Sequence, residues 1–211
     1  MKAPEAAFFR DILHEAAPAL RIVHVSRADA LSRAEATGET ATRLIAFSTQ
    51  IIAPAAVLNR LRFNAYNFHP GPPTYPGSKP SAFAVYEGAS EFGVTLHQMA
   101  ERVDSGPIVA TERFAIPHDA TATEVSVEAY RRMARLAASW ADALARPDCP
   151  LPQSDERWSG RKRRLADYEA LRRAPPDAPR EELVRRLRAC DGVYCPLPRP
   201  SSAASSAASD G

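Results

Sequence analysis

Cysteine is scarce and poorly placed for cross-linking: the 211 residues hold Cys149, Cys190 and Cys195, an odd number with no CxxC pair. A reduced intracellular setting is therefore expected rather than a disulfide framework. An excess of charge of either sign is also missing. The formal net charge of +2 gives no reason, from charge alone, to expect a nucleic-acid or membrane partner. No apolar run reaches membrane-spanning length, and the opening MKAPEAAFFRDIL is too acidic and too interrupted for a secretory signal. The expectation is a soluble, cytoplasmic protein. With 45% hydrophobic and 25% charged residues, the chain can bury the core of one ordinary domain and carry an appendage.

The first half alternates between helical and extended patterns. Pro4 to Ala17 places Phe8, Phe9, Ile12 and Leu13 on one side at helical spacing. RIVHV, Arg21 to Val25, alternates as a strand, and Arg27 to Thr40 is expected to hold a helix. RLIAFS, Arg43 to Ser48, is a second strand, APAAVLNRL a short helix, and RFNAY a further buried strand. This βαβ rhythm predicts an α/β fold with a mostly parallel sheet and helices on both faces. Further on, Ser81 to Gly88 reads as a helix, and Gly93 to Met99 and Ile108 to Ile116 as two strands. Ala122 to Ala145 reads as a long helix whose apolar face includes Val125, Val127, Met133, Leu136, Trp140 and Leu144.

The stretch NFHPGPPTYPGSKP, Asn67 to Pro80, organises the rest. Residues two apart on a strand share a face, so Asn67 and His69 project together. Five prolines from Pro70 to Pro80 then forbid a helix, while Gly71 and Gly77 permit turns. A strand thus delivers an amide and an imidazole at its carboxyl end, where open α/β sheets bind ligands. Taken alone, these two residues are better served by a structural role, as capping and hydrogen-bonding groups beside a proline-rich turn.

A second stretch, FGVTLHQMAERVDSGPIV, sets Asp104 in a turn between two alternating apolar runs. The combination of Asn-x-His-Pro, a Pro-Gly loop and Asp-x-Gly-x-Ile resembles the folate-dependent formyltransferases, which act on methionyl-tRNA, glycinamide ribonucleotide or sugar nucleotides. The resemblance is good from Leu44 to Val109 and looser elsewhere. It implies a Rossmann-like formyltransferase fold, catalytic Asn67, His69 and Asp104, and an additional active-site histidine at His97. It implies as well that 10-formyltetrahydrofolate, as co-substrate, lies against Gln50, Ile51 and Ile52 on one side and Met99, Ala100 and Glu101 on the other. Where many relatives have Arg-Ile-Leu, this chain has Gln-Ile-Ile, which removes a cation that could meet the folate tail. The expected activity moves a formyl group to a small-molecule amine: a sugar nucleotide, an amino-acid derivative or a methionyl-tRNA-like acceptor. A tRNA partner is not expected. The alternative is a catalytically inactive module that binds a folate or a protein.

Relatives open with a strand and a glycine-bearing loop before the first helix, whereas this chain opens on the helix. The expectation is either a coding stretch upstream or a homodimer through the exposed sheet edge. Residues 1–147 are expected to form the catalytic domain, 148–198 a small α-rich extension, and 199–211 a disordered tail. The basic run Arg161 to Arg164 is expected on a solvated helical face.

Overall fold

The computed structural model describes residues 1–27, 30–31, 42–61 and 64–193. Its centre is a four-stranded sheet of order β1-β2-β3-β4. The strands are β1 Leu44–Phe47, β2 Ala65–His69, β3 Glu91–Gln98 and β4 Ile108–Ala115. β1 and β2 run parallel and are joined through the helix α2, Ala55–Arg60, while β2–β3 and β3–β4 are antiparallel. The expected α/β class stands, with a mixed sheet among the described residues. The antiparallel β3–β4 pairing has a local cause: the connection from Gln98 to Ile108 is too short for a crossover, so the chain must return beside itself.

Period-two alternation divides the sheet into an apolar face and a polar one. Phe47, paired with Phe68, lies on the face that also holds Tyr66, Val94 and Leu96. The helix α1, Ala3–Ala16, covers this face by placing Phe9 5.3 Å from the Phe47 ring and 5.8 Å from Phe68. The helix α4, Ala122–Ser139, buries Val125, Ala129 and Met133 in the same core and is started by a reciprocal Thr121–Glu124 capping box. Each large apolar side chain so buried contributes roughly 1.5–3 kcal/mol. The helix α3, Pro80–Glu87, follows the proline-rich loop and ends on Gly88 in the left-handed conformation.

Several sequence expectations change. RIVHV is not a strand: Arg21, Val23 and His24 are exposed, and His24 Nε2–H reaches back to the Met1 carbonyl instead of a neighbouring strand. β1 is the outer strand of the described sheet, and 21–25 does not pair with it. The helix expected over Ala122 to Ala145 breaks at Trp140 (φ −105°, ψ 6°) and resumes as α5, Ala141–Leu144. Val127 is 48% exposed and leaves the apolar face. The helix expected from Arg27 to Thr40 lies largely outside the described residues, as do Cys195 and the tail 199–211.

Residues beyond α5 pass from the Tyr66 hydroxyl, on the apolar face, by way of the Ile108 carbonyl onto the polar face of the sheet before forming α6, Leu165–Leu171, and α7, Arg180–Ala189. Leu151 N–H donates to the Tyr66 hydroxyl and Ser154 N–H to the Ile108 carbonyl. Glu156 accepts from Thr111 and from Arg113 on β4. The basic run is thus extended backbone rather than a helical face. Arg163 pairs with Gly77 and stacks its guanidinium on Phe83, and Arg161 meets Asp167. Among the described residues no helix is long and apolar enough to cross a membrane.

Candidate active site

The polar face of β2 and β3 carries the site. The antiparallel register sets Asn67 opposite His97 and His69 opposite Thr95, so alternation puts two imidazoles and an amide on one surface. His69 and His97 are 3% and 2% exposed, and Asp104 7%, which makes this a nearly dry polar cluster. Asp104 comes from the β3–β4 turn in the left-handed conformation (φ 50°). A non-glycine residue held there costs about 1–3 kcal/mol, and the cost is met by what its carboxylate reaches.

Asp104 Oδ2 lies 3.5 Å from His69 Nδ1, and Oδ1 lies 3.5 Å from His97 Nε2. Oδ2 also accepts the Gly77 N–H at 2.8 Å. Burial alone would raise the Asp104 pKa. The hydrogen bond to His97, the two imidazoles and the Gly77 N–H outweigh it and hold the carboxyl at about 2. Gly77 itself has φ 97°, and a Cβ there would sit 2.1 Å from the Arg163 carbonyl, so both backbone conformation and close approach require glycine.

His97 Nδ1–H donates to the Gln98 carbonyl at 2.8 Å, which leaves Nε2 facing Asn67 Nδ2 at 3.1 Å. In the neutral ring Nε2 accepts from Asn67; once protonated it donates to Asp104 instead. His69 Nε2–H donates to the Tyr75 carbonyl at 3.0 Å, and its other nitrogen faces Asp104. Two acceptors thus flank His69. Burial lowers its pKa, against the opposing pull of Asp104 and the Tyr75 carbonyl. The arrangement can hold a carbonyl through an amide N–H, stabilise charge that develops on it, and pass a proton between ring and carboxylate.

Of the expected residues, Asn67, His69, His97 and Asp104 therefore lie together. The six expected along the co-substrate lie on two segments beside β2. Residues 50–52 follow β1, whose last residue Phe47 pairs with Phe68, while Met99 N–H donates to the Ala65 carbonyl. Ala65 and Phe68 are about 10 Å apart along the strand. Gln50, Ile52 and Glu101 are exposed, and Ile51, Met99 and Ala100 half-buried. Ile52, at 66% exposure, leaves a large apolar side chain uncovered. Trp158 was not anticipated: it stands against both imidazoles. Its one sequence signal is an isolated aromatic two residues before a glycine in a basic, otherwise polar segment.

A paired histidine and amide at a strand end, with a shared buried carboxylate, define a group-transfer site on an α/β sheet. The model of the formyl transferase family matches residues 26–139, more than half of the chain, and the chain belongs to that family. Similar solved structures include a Mycobacterium tuberculosis protein assigned to the sugar N-formyltransferases, at 24% identity and TM-score 0.70, over 90% of this chain and 84% of that one. A sugar N-formyltransferase from Shewanella has 19% identity and TM-score 0.70, over 89% and 84%. The N-formyltransferase of Helicobacter canadensis, solved with folinic acid and dTDP-3-aminofucose, has 16% identity and TM-score 0.58, over 78% and 58%. These likenesses establish the shared fold.

Proposed function

We propose that this formyltransferase moves the formyl group of 10-formyltetrahydrofolate to the amino group of a small molecule, with a nucleotide-linked aminosugar as the acceptor class. The observation that carries the reading is the single buried carboxylate of Asp104 shared by His69 and His97, beside Asn67. In this reading Asn67 donates an N–H to the formyl oxygen, and His69 stabilises the oxygen as it gains charge. To do so, His69 Nε2–H exchanges the Tyr75 carbonyl for the substrate oxygen. His97 and Asp104 relay the proton from the attacking nitrogen towards the departing nitrogen of the folate.

Ile51 and Ile52 supply apolar contact for the pterin, and the backbone of Met99, Ala100 and Glu101 supplies polar partners. The acceptor class is supported by the aminosugar nucleotide bound to the Helicobacter protein, and by a formal net charge of only +2, which gives no reason to expect a tRNA. The test is release of tetrahydrofolate from 10-formyltetrahydrofolate across a panel of aminosugar nucleotides, amino-acid derivatives and methionyl-tRNA. Turnover with an aminosugar nucleotide is the expected result. Folate binding without turnover on any acceptor would replace this reading with that of a binding module.

A further inference from the structure

The segment after α5 reaches the imidazoles through one side chain. Trp158 stands edge to face with His69 at 5.6 Å and with His97 at 5.0 Å between ring centres, the planes inclined 75° and 89°. Its Nε1–H donates to the Gly106 carbonyl at 2.8 Å, which fastens it to the turn that carries Asp104. The backbone beyond it grips the proline-rich loop. Ser159 and Gly160 N–H groups donate to the Pro73 carbonyl, Arg163 N–H to Pro76, and Ser78 N–H back to Arg163. Gly160 lies so close that a Cβ would sit 1.6 Å from the Thr74 carbonyl oxygen. Lys162 Nζ closes the strap by donating to the Val103 carbonyl at 2.6 Å. One short segment thus ties together the loop that follows His69 and the turn that carries Asp104.

We infer that Trp158 is a positioning residue of this site: it fixes the planes of His69 and His97 relative to Asp104 and keeps water off the ring pair. The kinetic part of the inference rests on the formyl-transfer reading. The groups that face His69 are Asp104 from the β3–β4 turn, His97 from β3, Lys162 from the strap and the Tyr75 carbonyl from the loop. Burial is the largest influence on this ring and holds its pKa below 6.5. Removing the indole admits water, relaxes the penalty on the cation and raises the pKa. The same loss of constraint lets the rings turn away from the reacting atoms, a displacement that costs on the order of 10- to 100-fold in rate.

The experiment follows the His69 ring Cε1–H resonance by NMR against pH in the wild type, Trp158→Ala and Trp158→Phe, alongside the pH profile of kcat and KM for 10-formyltetrahydrofolate. The expected result for Trp158→Ala is a higher His69 midpoint and a lower kcat, with KM for the folate little changed. The phenyl ring of Trp158→Phe restores most of both. A His69 midpoint and kcat unchanged in folded Trp158→Ala would overturn the inference. If the alanine variant fails to fold, Trp158→Leu, which keeps bulk without an aromatic face, decides: a raised midpoint is expected and an unchanged one overturns the inference. A wild type that binds folate without turnover sinks the formyl-transfer reading, while the titration still decides the role of Trp158.

Discussion

Replacing Asp104 with asparagine separates its electrostatic role from its packing. The amide keeps the size of the side chain and can still accept the Gly77 N–H, but it removes the charge that faces both imidazoles. In the folded protein this carboxyl has a pKa of about 2, against an ordinary 3.8. At about 1.4 kcal/mol per pH unit, the ionised form therefore stabilises the fold by roughly 2 kcal/mol. Because the folded value is the depressed one, that stability is fully present above ~pH 5. It is lost as the pH falls towards 2, with about half gone by ~pH 3. The assay is urea unfolding of wild type and Asp104→Asn at a series of pH values from neutral to the acid limit of folding. The stability gap between the two should narrow by about 1 kcal/mol on going from ~pH 5 to ~pH 3. At neutral pH the variant should bind folate while its turnover falls by orders of magnitude. A gap that stays constant across the acid range would show that the carboxylate is held by packing and not by its charge.

Asn67→Ala removes the N–H that the proposed reaction sets on the formyl oxygen and should lower kcat by about 10²–10³-fold in the tetrahydrofolate-release assay, with the melting temperature little changed. Ile52→Asp places a charge where an apolar side chain stands 66% exposed beside β1, so KM for the folate should rise about tenfold while chemical denaturation is unaltered. Gly160→Ala forces a methyl group against the Thr74 carbonyl. It should cost about 1–3 kcal/mol, a fall of roughly 2–10 °C in calorimetry.

The Asn67–His69 half of the polar cluster was legible in the sequence because alternation in a strand is local, whereas His97 and Asp104 were marked as site residues only by the resemblance to the formyltransferases. Asn67 and His69 two apart, and Thr95 and His97 two apart, must each share a face whatever the strands do around them. What alternation does not reveal is the register that brings the pairs opposite each other. That register depends on the direction of β3, and the βαβ rhythm of the first half pointed to parallel pairing. RIVHV misled for a related reason. Its pattern is that of a strand, but a strand needs an edge to pair with, and pattern alone does not supply the neighbour.

The strap was hidden for a different physical reason. Its grip on the proline-rich loop is made by backbone groups of Pro73, Pro76, Ser78, Ser159, Gly160 and Arg163, and main-chain hydrogen bonds leave almost no mark on residue type. The marks that remain are negative ones: glycine at 77 and 160, where a Cβ would meet another chain segment at 2.1 Å and 1.6 Å. The basic side chains that follow Gly160 drew attention to charge, yet each has a specific partner: Asp167 for Arg161, the Val103 carbonyl for Lys162 and Glu87 for Arg163. The proline-rich loop has few N–H groups of its own to hold its shape, so a second segment must supply the donors. The part of the chain that resembles an appendage therefore completes the loop that positions His69, and the catalytic face is finished only when residues 154–163 have folded across it.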